Sequence, residues 1–453
     1  MSPRATARLL ALLFLFYGTI AVPALAVLMP PFQAADEMAH LGRADQVERG
    51  GMLARRIPEA DTSGGRVHPG FSAVDQALLR LRAGRDTRID PAELRRLKAV
   101  PLGVPADAPF PNTAAYPPLF YGPDAAAIAV GERLNFGAVR TARLARLCNG
   151  AVAVLLGCWA IGRGRRLAPA LFFVLSLPMS LALFASASQD GPMLAATALL
   201  VSLLGAPPDG RGARLALPAA AVLIGAVAAA RPPYAAMALL LPILAPPGRR
   251  MAASGWAAGA VLLVAAWTIA VDRWVMARPV AAAIAAQLGA LEHRPATIAT
   301  VAWGTAVEQV RHGLPWVREA IGVLGWLDVL LPGPYYAAAL VVGALAFAAS
   351  RPEAGMAAVG WRRWAVAGLL VLSAVGIVLS IYLSWTAVGA RTVDGVQGRY
   401  FLPLLLAGVL VLPPATGRWS GRRHLAACVV VAWFPCVSIA ASVCAVAARY
   451  YGA

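Results

Sequence analysis

Asp36-Glu37-Met38-Ala39-His40 sets two carboxylates and an imidazole within five residues, a few positions beyond the apolar run Leu9–Met29. If residues 34–44 are helical, His40 falls four residues after Asp36 and three after Glu37, so all three can share one face. A carboxylate so placed is able to take the proton of an attacking hydroxyl, with the imidazole orienting it or helping to hold a divalent cation. The competing reading is structural: acids in a first helical turn are favoured by the macrodipole, and a lone histidine is more often hydrogen-bonded than a ligand. Further along, Arg231 precedes Pro232-Pro233, and Gln397-Gly398-Arg399-Tyr400 opens another apolar stretch. A fixed guanidinium grips phosphate oxygens in bidentate fashion and stabilises charge on a leaving group. Against this, each arginine could be an interfacial anchor or pair with a neighbour such as Asp394. Asp190, after Ser186 and Ser188, and Asp328 are alternatively helix caps. Tyr116, Tyr121, Tyr400 and Trp326 could stack on a sugar or simply belong to an aromatic belt at the membrane interface.

The composition says what must position these groups. Of 453 residues, 59% are hydrophobic and 14% charged, with a mean hydropathy of +0.67, which is the balance of a polytopic membrane protein rather than a soluble one. The net charge of +18 would suggest nucleic acid in a soluble chain. Here the arginines sit in short connections (Arg163, Arg165 and Arg166; Arg211; Arg249 and Arg250; Arg362 and Arg363; Arg418, Arg422 and Arg423), the pattern of cytoplasmic loops. Basic charge is therefore topogenic, and no nucleic-acid partner is expected. Arg4 and Arg8 hold the N-terminus in the cytoplasm. The first span resembles a signal peptide ending at Ala24-Leu25-Ala26, but its apolar core is long for one and an uncleaved anchor is expected.

Hydropathy and loop charge predict about 11 transmembrane helices in a single polytopic membrane domain over 1–453. There are two large extracytoplasmic loops, 30–142 with interfacial helices and 272–328 with Trp274, Trp303, Trp316 and Trp326 lying along the membrane. Tyr116–Gly131 is expected as a helix at the outer interface, and 186–191 as a polar hinge at the outer surface. The five cysteines offer neither a disulfide framework nor a zinc spacing. Because the ionisable residues gather at outer ends and no internal repeat is visible, an enzyme at the outer leaflet is expected over a conduit.

Pro30-Pro31 with Asp36–His40, Tyr116-Pro117-Pro118-Leu119-Phe120-Tyr121, Ser186-x-Ser188-x-Asp190, Arg231-Pro232-Pro233-Tyr234, Gly325-Trp326-Leu327-Asp328 and Gly395–Pro403 resemble, in order, the signature of domain-of-unknown-function family 2142, bacterial polytopic membrane proteins. That family in turn resembles, more distantly, the GT-C glycosyltransferases, which take sugars from polyprenyl-phosphate donors and carry an acidic residue in the first outer loop. The resemblance implies an all-α, GT-C-like integral membrane protein of the bacterial inner membrane. It would transfer a sugar from a polyprenyl-phosphate-linked donor to a cell-envelope glycan, lipid or protein. Asp36 or Glu37 would be the base, Arg231 and Arg399 would meet the phosphate, and His40, Tyr116, Asp190, Gln397 and Tyr400 would shape the substrate site. A divalent cation is one expected cofactor. The alternatives are a flippase or transporter for an amphipathic envelope precursor and a non-catalytic scaffold for envelope assembly.

Overall fold

A computed structural model describes residues 2–206, 212–353, 360–413 and 421–452; Arg211 and Arg418 lie outside this set. Among the described residues, five helices are long and apolar enough to cross a bilayer: Pro3–Leu28, Ala138–Arg163, Pro247–Trp274, Trp361–Ser384 and Arg422–Tyr451. A sixth segment of that length is broken. Arg165–Leu175 and Pro178–Phe184 meet at 79°, because Pro178 bars the helical conformation at Leu177, whose ψ is 145°. The remaining expected spans are shorter apolar helices: Asp190–Gly205, Leu215–Ala230, Pro232–Leu244, Gly333–Ala349 and Gly398–Val411. At 1.5 Å per residue none of these covers a ~30 Å hydrocarbon core unaided. Five or six helices of spanning length thus stand where hydropathy predicted about 11.

Ala138–Arg163 is the central helix, packed between Pro3–Leu28 and Asp190–Gly205. Small residues make the approach possible: a Cβ on Gly150 would lie 2.7 Å from the Phe184 carbonyl oxygen, and one on Gly157 the same distance from the Phe14 ring. A second group is formed by Gly212–Ala230, Arg250–Trp274, the 3-10 segment Pro232–Leu239 and Trp361–Ser384. The outer helices turn Leu12, Phe16, Leu262, Val371 and Trp433 outward, an apolar perimeter suited to lipid.

The segment between Pro3–Leu28 and Ala138–Arg163 is not purely helical. After the helix Glu37–Glu48 it forms a three-stranded antiparallel sheet, β1 (Arg55–Ile57), β2 (Thr62–Val67) and β3 (Ala106–Pro109), with Arg55 opposite Gly64 and Gly65 opposite Ala108. These strands are too short, and too rich in glycine and arginine, to carry an alternating apolar pattern. The stretch expected at the interface is instead a short turn followed by the helix Gly122–Arg133, which packs on Ala138–Arg163 and Glu37–Glu48. Its Asp124 is fully buried, and burial raises its carboxyl well above the ordinary range. Between Arg250–Trp274 and Gly333–Ala349, Arg278–His293 and Thr297–Arg311 are helices, with Trp274 and Trp303 exposed. Trp316 packs on Phe401, and Trp326 on Arg82.

Candidate functional site

Four segments far apart in the chain meet at one cluster. Asp36 occupies the cap position of Glu37–Glu48, yet its carboxylate does not cap; φ is +61° and the side chain turns away from the helix. Arg399 donates to it through Nη2 at 2.6 Å and to the Ala35 carbonyl through Nη1 at 3.3 Å. Asp190, at the start of Asp190–Gly205, accepts from Nη2 of Arg231 at 2.9 and 3.1 Å, while Nε of Arg399 stands 3.8 Å from the same carboxylate. Two guanidiniums and two carboxylates therefore form one chain of charge, Asp36–Arg399–Asp190–Arg231. The helix-cap reading fails for both aspartates, and Arg399 pairs with Asp36 rather than with Asp394.

Aromatic rings wall the cluster. The Arg231 guanidinium lies 4.2 Å from the Tyr400 ring centre and 5.9 Å from that of Tyr116, distances at which cation–π attraction holds it in place. His40 stacks on Tyr116, with ring centres 5.9 Å apart, and its Nδ1 is 2.7 Å from the Tyr121 hydroxyl. Burial pushes the His40 imidazole down to about 4, against the pull of Asp190 and Asp36. It is thus a neutral hydrogen-bonding group at physiological pH, and burial likewise lifts the Tyr116 phenol to about 12.

This depressed histidine has a consequence for stability. As pH falls, the unfolded chain protonates His40 near 6.5 while the folded protein resists, so the stability it contributes is intact above about 6.5 and lost as pH drops towards 4. His40→Gln is expected to flatten the acid loss in that window by roughly 2–3 kcal/mol. Thermal melts of detergent-solubilised protein between pH 7 and 4 measure it.

The turn carrying Arg399 is held from three sides. Tyr234, the last residue of Arg231-Pro232-Pro233-Tyr234, donates its hydroxyl to the Tyr400 carbonyl at 2.6 Å, and Glu319 accepts from the Gly398 amide at 2.8 Å. A Cβ on Gly398 would fall 2.0 Å from the Trp316 carbonyl oxygen, a backbone clash that no rotamer relieves. Gly398→Ala is accordingly expected to displace Arg399 and Tyr400 together, costing at least about 1–3 kcal/mol of stability. Protease protection of the Arg399 segment, compared with wild type, is the readout. Gln397 keeps its Oε1 buried without a hydrogen-bond partner and lines a cavity of about 40 Å³ with Arg399, Ser186 and Ala35.

Glu37 is placed differently from its neighbour. It is 2% exposed, and Arg146 from the central helix donates Nε to one carboxylate oxygen at 2.7 Å and Nη2 to the other at 2.5 Å. The Ala187 amide also donates to Oε1 at 3.0 Å. With both oxygens engaged, Glu37 is not available to accept a substrate proton. It ties down the segment leading to Asp190, which Asn149 grips as well through the Ser186 and Ser188 carbonyls. That segment was expected at the outer surface; Ser186, Ser188, Gln189 and Asp190 are all buried.

Two structural arginines escaped the sequence reading. Arg146 also donates to the carbonyls of Ala26, Met29 and Pro30, satisfying the end of the first helix. Arg43, fully buried, donates to the Tyr116 carbonyl at 3.1 Å and to those of Gly51 and Met52, fixing the Tyr116 backbone. Among Arg140, Arg143 and Arg146, Arg146 reaches furthest into the apolar stretch of Ala138–Arg163, and that was the available signal. Asp328, in contrast, lies away from the cluster: it accepts from the Trp326 amide within its own hairpin and pairs with Arg449 at 2.7 Å.

Beside the cluster opens an apolar cavity of about 860 Å³. Phe401 and Leu402, which directly follow Arg399-Tyr400, form part of its wall, with Trp316, Val301, Phe347 and Leu379. A charged head and an elongated apolar chamber thus share one short turn. Neither the curated proteins nor the solved structures contain a match to this chain. The model of the predicted membrane protein family DUF2142 matches residues 20–407, nearly the whole length. This chain, with its buried arginine–aspartate cluster, belongs to that family.

Proposed function

We propose that this protein is a GT-C-like glycosyltransferase that moves a sugar from a polyprenyl-phosphate donor to a cell-envelope acceptor on the outer face of a bacterial inner membrane. In this reading the eleven apolar segments, long and short, are all membrane-embedded, with the N-terminus in the cytoplasm. The observation that carries the proposal is the junction of the Arg231–Arg399 pair with the 860 Å³ apolar cavity. A phosphate with a long hydrocarbon tail, as a polyprenyl phosphate has, needs both. The arginines keep donors in reserve: among the described residues, Nε and Nη1 of Arg231 make no hydrogen bond, and Nε of Arg399 is buried without one.

The chemistry follows from those contacts. The donor phosphate takes guanidinium donors now spent on the aspartates, so Arg399 loosens its hold on Asp36. Released from that ion pair, the Asp36 carboxylate is free to face the acceptor hydroxyl. It accepts the acceptor hydroxyl's proton as the new bond forms at the anomeric carbon, while the bond from that carbon to the phosphate oxygen breaks. The charge on the departing polyprenyl phosphate is held by Arg231 and Arg399. His40, neutral, Tyr116 and Tyr400 wall the sugar, and Gln397 presents an unpaired carbonyl from below. Glu37 serves as a positioning residue through Ala187. At Asp36 and Asp190 two guanidiniums already balance two carboxylates, so the phosphate is assigned to the arginines.

The test is direct. Purified protein in vesicles is given polyprenyl-phosphate sugars, and donor consumption is followed by mass spectrometry; in parallel, lipid-linked sugars are profiled in a deletion strain. Donor that accumulates in the deletion and is cleared by wild type but not by Asp36→Asn supports the proposal. If wild type neither binds nor consumes any such donor, the reading is wrong. Lipid translocation preserved by Asp36→Asn would favour a flippase, and tolerance of every site substitution a scaffold.

A further inference from the structure

A second cluster lies in the first outer loop, built from Asp45 on Glu37–Glu48, His68 at the end of β2, and Glu132 on Gly122–Arg133. It is independent of the transfer chemistry. Asp45 and His68 are buried, and one carboxylate oxygen or ring nitrogen from each of the three residues lies within 4.8 Å of the others. Oδ2 of Asp45 faces both the His68 backbone amide at 2.7 Å and Nδ1 at 2.8 Å. A carboxylate only accepts, so Nδ1 carries a hydrogen, and Nε2 is left on the far side of the ring. That nitrogen meets Oε1 of Glu132 at 2.8 Å. A second hydrogen, on Nε2, or a cation must join it to that carboxylate.

Arg49 reaches the spot: Nη2 stands 3.1 Å from His68 Nε2 and contacts Glu132, and lies 3.8 Å from Glu48. One guanidinium is thereby set against three carboxylates, those of Asp45, Glu48 and Glu132. Oδ1 of Asp45, in a side chain with no exposure, still has no hydrogen-bond partner, Arg49 Nε remaining 3.5 Å away.

We propose that Asp45, His68 and Glu132 bind a zinc-class divalent ion, with Arg49 moving aside to admit it. His68 Nε2 and one oxygen each from Glu132 and Asp45 are the ligands, Asp45 turning from Nδ1 towards the ion. Bonds of about 2.0–2.2 Å draw the three donors together by modest side-chain rotation. A nitrogen donor beside carboxylates selects zinc over calcium, which takes oxygen alone. The ion would clip three elements of the outer loop, including the helix that carries Asp36 at its cap and His40 in its first turn.

Full-length protein in detergent, stripped with chelator and verified as folded by circular dichroism, is titrated with zinc alone and assayed for bound metal. The expected result is one equivalent per chain with a raised melting temperature. Glu132→Gln and His68→Ala should weaken binding at least about tenfold. Arg49→Ala, which removes the competing guanidinium, should bind zinc at least as tightly as wild type. No uptake by either folded wild type or Arg49→Ala overturns the proposal, as does uptake undiminished in Glu132→Gln. The readout is metal content, so it stands or falls apart from sugar transfer.

Discussion

Arg146→Met is expected to destabilise the protein by about 3–5 kcal/mol and to collapse the yield of folded protein from membranes. The guanidinium is 1% exposed and serves five acceptors: two oxygens of Glu37 and the carbonyls of Ala26, Met29 and Pro30. Removing it leaves a carboxylate and three backbone carbonyls buried without their donor, and that unpaired charge costs more than the ion pair gains. Adding Glu37→Gln to Arg146→Met should recover part of the loss, because the stranded charge disappears while the carbonyls stay unsatisfied. Thermal melts of wild type, both single variants and the double variant give the cycle. A destabilisation below about 1 kcal/mol for Arg146→Met would mean the pair is not the clamp described here.

Asp36→Asn is expected to do the opposite, leaving the fold largely intact and abolishing transfer. Asp36 is partly exposed and pairs with Arg399 at the edge of the cavity, so a carboxamide keeps a hydrogen-bonding group there while losing the base. The expected fall in turnover is about 10²–10⁴-fold, measured as donor consumption at matched protein abundance. Glu37→Gln should instead lower melting temperature along with activity. The two neighbours, adjacent in sequence, thus separate into a chemical and a structural role. Turnover by Asp36→Asn within a few-fold of wild type would remove Asp36 as the base, while leaving the arginines as phosphate ligands to be tested separately.

That separation was not legible in the sequence. Asp36 and Glu37 have the same charge, lie side by side and follow the same apolar run. What divides them is a positive φ at Asp36, which throws its carboxylate towards Arg399, 363 residues away. Glu37, one step into the helix, points at Arg146, 109 residues away. The turn motifs fared better: Arg231-Pro232-Pro233-Tyr234 and Gln397-Gly398-Arg399-Tyr400 marked out real positions, because proline and glycine punctuate apolar helices for reasons that act locally. The three-residue to six-residue strands of the outer loop, by contrast, had no local signature to read.

Composition and the placement of arginine were enough to establish a helical membrane protein with its polar groups gathered in the connections between apolar segments, since burying backbone in lipid admits little besides helix. Of the about 11 spans that hydropathy predicts, five or six have spanning length among the described residues and five are shorter apolar helices, because a hydropathy window sums apolarity without registering where a helix ends or breaks. Which charges pair was decided by tertiary structure alone. Asp36, Asp190, Arg231 and Arg399 come together through the packing of helices remote in sequence, and the energy of an ion pair depends on distance and burial, neither of which a linear chain records.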